Sequence, residues 1–98
     1  MTIEIKKNAN ELVLDITGRL DTITAPALDK TINENFGDIK SLILNFKALE
    51  YISSAGLRVL LGAQKKIQQF GTMKIINVCE EVMDVFEMTG FADILTIE

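Results

Sequence analysis

The chain has 98 residues, of which 48% are apolar and 24% are charged, a balance typical of one globular domain with a single core. The formal net charge is −4 and no basic run exceeds two residues, so the clustered positive face needed for direct nucleic-acid binding is missing. The chain contains no histidine, which excludes Ser-His-Asp and Cys-His catalysis as well as histidine-ligated zinc.

The cysteine content limits which disulfides can form, and the apolar runs indicate where in the cell the protein is expected. Cys79 is the only cysteine, so no internal disulfide or thiolate cluster can form. We interpret it as a small buried apolar residue, with a reactive thiol near a helix start as the alternative. The apolar runs are too short to span a bilayer, and no signal-peptide core follows the first lysines. We therefore expect a cytoplasmic protein without membrane insertion.

The first two predicted elements are strands. Residues 2–6 and 11–17 alternate apolar and polar side chains, and the Asn-Ala-Asn sequence at 8–10 is typical of a turn. This pattern predicts a β-hairpin whose second strand ends at Gly18.

The rest of the chain alternates helices and strands. Apolar residues recur every three to four positions in the helical segments, and glycines follow each of them. The predicted elements, in chain order, are helix 24–36, strand 41–46, helix 54–69, strand 73–78, helix 80–89 and an edge strand at 93–97.

This order, β-β-α-β-α-β-α-β, predicts one α/β domain over residues 1–98. Strands joined through helices run parallel, whereas the opening hairpin is antiparallel, so we expect a mixed sheet of about five strands. The apolar run at 41–46 is typical of a central strand that is buried on both faces. The carboxylates of helix 80–89 are expected to form a solvated face, and we expect no metal site.

Three predicted loops meet at the carboxyl edge of the parallel strands, where open α/β sheets bind ligands. They are residues 18–22, 48–54 and 78–80. This topology places Asp21 and Ser54 at one edge of the sheet although they are far apart in the sequence.

Ser53 and Ser54 stand directly before an amphipathic helix. Serine is a common N-cap residue, so either serine could simply cap the start of this helix. A hydroxyl that faces solvent beside free backbone N–H groups is also a suitable place for a phosphate. Asp21 has the same two interpretations, as a turn or capping residue or as part of a site.

In this region the sequence resembles the STAS family, the anti-sigma-factor antagonists. The segment Ser53-Ser54-Ala55-Gly56-Leu57 resembles the phosphorylation loop of the family, usually D-S-[ST]-G-L. The segment Gly18-Arg19-Leu20-Asp21 resembles the G-x-L-D motif that follows the second strand of the family. Element order and domain length agree, so the resemblance covers essentially the whole chain.

The resemblance implies a bacterial binding protein that is not an enzyme and needs no cofactor. Its partner would be an anti-sigma factor that is also a serine kinase, and a PP2C-type phosphatase would reverse the phosphorylation. Transcription is then regulated indirectly, by partner switching. Matched residue by residue, Ser54 is the phosphate acceptor, Asp21 is the acidic residue near it, and Gly56 lets the helix begin tightly.

Departures from the family pattern concern three positions. Ser53 replaces an aspartate, Ala55 replaces a serine or threonine, and Arg58 replaces a small residue. The loss of the aspartate changes kinase docking or marks a branch that binds without being phosphorylated. Arg58 is either a counter-ion for a phosphate on Ser54 or simply an exposed helix residue.

The partner contact is expected from apolar residues beside the serine pair. Tyr51, Ile52 and Leu57 are the candidates, with core packing as the alternative, above all for Leu57. Two other functional classes remain open at this point. One is a STAS-like scaffold or accessory subunit of a transport or signalling complex, and the other is a sensor that holds a small ligand at the rim.

Overall fold

The computed structural model describes residues 1–98, which form three helices against one sheet. Up to α3 the elements lie where the apolar patterning predicts them, with longer second and third strands. In chain order they are β1 (Thr2–Asn8), β2 (Glu11–Leu20), α1 (Ala25–Glu34), β3 (Ser41–Ile52), α2 (Ser54–Ile67), β4 (Thr72–Ile76), α3 (Glu80–Thr89) and a 3-10 turn (Phe91–Asp93).

The sheet has the order β1-β2-β3-β4. β1 pairs with β2 antiparallel through a turn in which Ala9 has a φ of 54°, which confirms the predicted hairpin. β2 and β3 are parallel, as are β3 and β4, because each pair is joined through a helix. The predicted mixed sheet is therefore present.

The core lies on one face of this sheet. It is a single cluster of 23 buried apolar residues, contributed by alternate positions of the strands and by the inner stripes of the helices. Leu42, Leu44 and Phe46 of β3 are fully buried, whereas Ile43 and Asn45 between them are only half-buried. The prediction that this strand is buried on both faces is therefore wrong, because the helices cover only one face.

A row of polar side chains crosses the uncovered face. Lys6 Nζ lies 2.8 Å from Asp15 Oδ2, and the Asn45 amide donates to Asp15 Oδ1 at 2.9 Å. Asn77 in turn donates to Asn45 Oδ1 at 3.0 Å. The hydrogen bond from Lys6, together with that from Asn45, lowers the pKa of Asp15, and the same bond to Asp15 raises the pKa of Lys6. These contacts connect β1, β2, β3 and the residue that follows β4.

The C-terminal segment does not form the predicted fifth strand. Gly90 has a φ of 81° and ends α3, and the chain then turns through the 3-10 segment. Only an isolated parallel bridge between Ile97 and Ile75 remains. The sheet therefore has four strands rather than about five, because the chain still turns up to Leu95 and only residues 96–98 bond to Ile75 of β4.

β2 and β3 continue beyond the predicted ends at Gly18 and residue 46. Gly18 has a φ of 101° and lies within β2, where the pairing register shifts, so it does not end the strand. Ile52 is the last residue of β3 and pairs with Leu20. None of the three helices has the length and apolar character required to cross a membrane.

Candidate functional site

The carboxyl ends of β2 and β3 bring two predicted segments together by direct strand pairing. Arg19 pairs with Tyr51, and Leu20 pairs with Ile52. The Ser53 N–H continues this ladder by donating to the Leu20 carbonyl at 2.9 Å. Asp21 and the serine pair thus follow paired residues on neighbouring strands, as the topology predicted, although through extended strands rather than through loops.

Helix α2 begins at the serine pair. Ser53 is the N-cap residue, with extended backbone (φ −103°, ψ 176°), and its carbonyl accepts the Leu57 N–H at 3.0 Å. Its hydroxyl makes no capping bond and is buried without any hydrogen-bond partner. Ser54 is the first helical residue and is exposed. Neither serine hydroxyl therefore caps the helix, and Ser54 stands at the surface.

Gly56 allows α2 to approach the ends of both strands. A Cβ atom at this position would lie 2.7 Å from Leu20 Cγ and 2.9 Å from Ile52 Cγ1, closer than carbon atoms pack. Both neighbours are buried, so they have little room to move. The glycine is required for this packing, which agrees with the tight helix start that the resemblance implied.

Asp21 closes the start of α1. Its Oδ1 accepts the backbone N–H groups of Ile23 and Thr24, each at 3.0 Å, and Thr24 Oγ1 accepts the Asp21 N–H at 2.8 Å. This reciprocal arrangement has the bonding pattern of a capping box, and it lies in the turn directly before α1, whose N-cap residue is Thr24. The Thr24 backbone N–H is the main cause of the lowered pKa of Asp21, with smaller contributions from the Thr24 hydroxyl, the Ile23 N–H and the Arg19 charge. The interpretation of Asp21 as a turn or capping residue is therefore realised.

The three residues expected at the partner contact differ in exposure. Tyr51 is 40% exposed, and the Arg19 guanidinium lies 4.1 Å from the centroid of its ring. Ile52 and Leu57 are only 3% and 5% exposed and belong to the core. The contact role expected for these two residues is wrong and the core-packing alternative holds, because the helix start folds onto the strand ends. Ile52 and Leu57 therefore pack in the core beneath the exposed residues of the site.

Two surface residues of this region were not predicted as part of the site. Ile23 is 87% exposed in the turn that Asp21 closes, and Arg19 stacks on Tyr51. The sequence does give a signal that Ile23 is exposed. It stands between two threonines, ahead of the apolar stripe of α1. The Arg19 stack depends on the pairing of distant strands and has no local signal.

Arg58 is exposed on α2, one turn beyond Ser54. It takes part in neither of the two ion pairs of the structure, which join Lys6 to Asp15 and Lys74 to Glu98. Arg19 is in neither pair either, but its guanidinium stacks on Tyr51, so Arg58 is the cation of the site with no recorded side-chain contact.

The other groups considered from the sequence are Cys79 and possible metal ligands. Cys79 packs against the core but is only half-buried rather than buried as predicted, and it is the N-cap residue of α3, with its Sγ 3.5 Å from the Leu49 carbonyl oxygen. No group of three or more potential metal ligands is assembled, and the surface has no cavity.

Comparison with known proteins identifies the family. A family profile described as the STAS domain matches residues 2–98. The chain belongs to the STAS family. The anti-sigma-B factor antagonist of Bacillus subtilis (strain 168) is 30% identical over 98 residues, which cover 99% of this chain and 90% of that protein.

Two solved structures share the fold of this chain. An anti-sigma factor antagonist from Mycobacterium paratuberculosis superposes with a TM-score of 0.88 at 22% identity, covering 98% of this chain and 83% of that one. The Bacillus cell fate determinant SpoIIAA in its phosphorylated form gives a TM-score of 0.77 at 19% identity, covering 99% and 91%. At 22% and 19% identity, these comparisons establish a shared fold only.

Proposed function

We propose that this STAS protein is an anti-sigma factor antagonist that phosphorylation of Ser54 switches off. In this role the unmodified protein binds an anti-sigma factor and so frees a sigma factor. The proposal is supported by the relatives, which are named anti-sigma factor antagonists over nearly the full length of this chain. It makes the protein a binding partner and not an enzyme.

The observation that carries the proposal is the contrast in exposure at the start of α2. Ser54 is exposed, whereas Ile52 and Leu57 on either side of it are buried. A kinase can therefore reach the hydroxyl, and a phosphate there would project into solvent without entering the core. SpoIIAA, which has the same fold, is known in a phosphorylated form.

The surface around Ser54 has the character of a protein contact. The exposed Ile23 and the Arg19–Tyr51 stack supply an apolar side chain, an aromatic ring and a guanidinium at one edge of the sheet. Such side chains dominate the binding energy of protein interfaces. We assign the partner contact to this surface, with Asp21 and Gly56 fixing the two helix starts that shape it.

The switch follows from electrostatics. In the kinase step the Ser54 oxygen bonds to the γ-phosphorus of ATP, the bond to ADP breaks, and the hydroxyl proton is released. The product carries about −1.5 to −2 charges. Docking would then bury a hydrated anion, at a cost of several kcal/mol, whereas a hundredfold loss of affinity needs only about 2.7 kcal/mol. A PP2C-type phosphatase would hydrolyse the ester and restore binding.

The test is phosphorylation by the anti-sigma factor of the same cell, which we propose is the kinase. After incubation with that protein and ATP, intact-mass spectrometry should show one added phosphate on the wild type and none on Ser54→Ala. Ser53→Ala is the matched control and should still be labelled, because its buried hydroxyl is inaccessible. Label that persists in Ser54→Ala would overturn the site assignment.

The binding surface is tested in the same system. Ile23→Ser should weaken binding to the anti-sigma factor at least tenfold in calorimetry while leaving the Tm unchanged, because Ile23 is not part of the core. Met88→Ser is the control, since Met88 is 86% exposed near the far end of α3. Equal effects of the two variants would contradict the assigned surface. A purified transport subunit that binds in place of the anti-sigma factor would favour the scaffold role.

A further inference from the structure

Arg58 lies on the same exposed face of α2 as Ser54. Residues four apart in a helix are surface neighbours, with Cβ atoms about 5–6 Å apart. Long helical side chains also lean toward the helix N-terminus, so each covers the turn that precedes it. For Arg58 this preceding turn begins at Ser54.

The other cation at this edge of the sheet is already engaged. Arg19 stacks on Tyr51 and contributes to the lowered pKa of Asp21. Arg58 takes part in no ion pair, and the first turn of α2 contains no acidic residue. Its guanidinium is therefore available to an anion that arrives at the start of the helix.

A phosphate on Ser54 would enter an acidic protein. The net charge of −4 would become about −6, and the Asp21 carboxylate follows the strand paired with β3. An anion placed four residues before a cation is the favourable order along a helix. The guanidinium can also donate two parallel hydrogen bonds to a phosphate, which an ammonium group cannot match.

We propose that Arg58 is the counter-ion of the phosphate on Ser54. The proposal rests on the assignment of Ser54 as the acceptor. Arg58 partly neutralises the added charge and holds the phosphate along the face of α2. The phosphorylated protein then keeps its fold while presenting an ordered anion to its partner.

The experiment places phosphoserine at position 54 during translation, so that no kinase is required. The second pKa of the phosphate is then measured by ³¹P NMR at low salt. Arg58→Gln keeps most of the side-chain length without the charge, and it should raise this pKa by about 0.3 unit, the size expected of an exposed helix pair. Arg58→Lys should give an intermediate value, and 1 M NaCl should reduce the differences.

Lys65→Ala is the matched control. Lys65 is an exposed cation on the same helix, about 16 Å from Ser54 along the axis, so its removal should leave the phosphate pKa nearly unchanged. The unphosphorylated Arg58→Gln protein should keep the Tm of the wild type, which shows that the fold is intact.

The outcomes separate this proposal from the one on which it rests. If Arg58→Gln and Lys65→Ala shift the phosphate pKa equally, Arg58 is not the counter-ion, whatever the kinase assay shows. If the kinase labels another residue, the proposed switch fails, while the ³¹P measurement still decides how Arg58 and an installed phosphate interact.

Discussion

Helices α1 and α2 both begin at the carboxyl edge of the sheet, yet their first turns differ. At α1, the Asp21 carboxylate accepts two backbone N–H groups, and Thr24 returns a bond to the Asp21 N–H. At α2, the residue in the cap position is Ser53, whose hydroxyl bonds to nothing. The side chains of Asp21 and Thr24 close the turn directly before α1, whereas the start of α2 is held only by backbone bonds and packing.

Under the proposed function, this difference lets one edge of the sheet hold both a fixed element and one that can be modified. The closed start of α1 fixes the turn that displays Ile23. The start of α2 leaves its first-turn N–H groups without a side-chain acceptor, and Ser54 stands beside them at the surface. A helix N-terminus of this kind tolerates added negative charge, because the helix dipole favours it.

The largest effect is expected from the packing that holds α2 in place. Gly56→Ala should lower the free energy of unfolding by about 1–2 kcal/mol, because overlap with the Leu20 and Ile52 side chains outweighs the gain in helix propensity. Denaturant unfolding measures the change.

The control for this prediction is a second glycine of the same helix. A Cβ atom at Gly62 would have no neighbour within 4 Å, so Gly62→Ala should stabilise the protein by up to about 1 kcal/mol. If both substitutions change stability in the same direction, packing at the strand ends does not decide the position of α2.

A smaller effect is expected from the closed helix start. The hydrogen bonds to Asp21 lower its folded-state pKa below the ordinary 3.8, so its ionised form stabilises the fold above the unfolded-state pKa. This contribution is lost as the pH falls through the lower folded-state value. Asp21→Asn should therefore have a lower Tm than the wild type at pH 7, and the two Tm values should converge below about pH 4.

Asp38→Asn is the control for the pH experiment, because Asp38 is exposed and forms no ion pair. It should follow the wild type across the same pH range. Asp15 titrates in the same acidic range through its bond to Lys6 and is present in all three proteins, so it does not contribute to the difference. A constant gap between Asp21→Asn and the wild type would mean that the ionised carboxylate contributes nothing to the cap.

The smallest effect is expected from the cap position of α2. Replacing a working serine cap by alanine costs about 1 kcal/mol, whereas Ser53→Ala removes a buried hydroxyl that has no partner. Its free energy of unfolding should stay within about 0.5 kcal/mol of the wild type in the same denaturant assay. A loss of 1 kcal/mol would show that Ser53 caps the helix in solution.

Local patterns predicted most of the fold. The alternation of Leu12, Leu14 and Ile16 predicted a strand with one buried face, and the structure buries all three. The helix-strand alternation predicted the parallel sheet and the shared edge of Asp21 and Ser54. These features depend on periodicity and topology, which a sequence displays directly.

The errors concern features set by distant partners. β3 continues to Ile52 because β2 continues beside it, and no local pattern reports that pairing. For the same reason, the sequence could not show that Ile52 is buried under α2 or that Arg19 stacks on Tyr51. The fifth strand failed because Gly90 turns the chain, which leaves a single bridge at Ile97.

The polar row on the uncovered sheet face affects how two molecules can meet. Face-to-face stacking of exposed sheets requires dry, interdigitating side chains. Here such stacking would remove water from the Lys6–Asp15 pair and from the amides of Asn45 and Asn77, with no new partners in return. The row therefore disfavours self-association through this face of the sheet, which no helix covers.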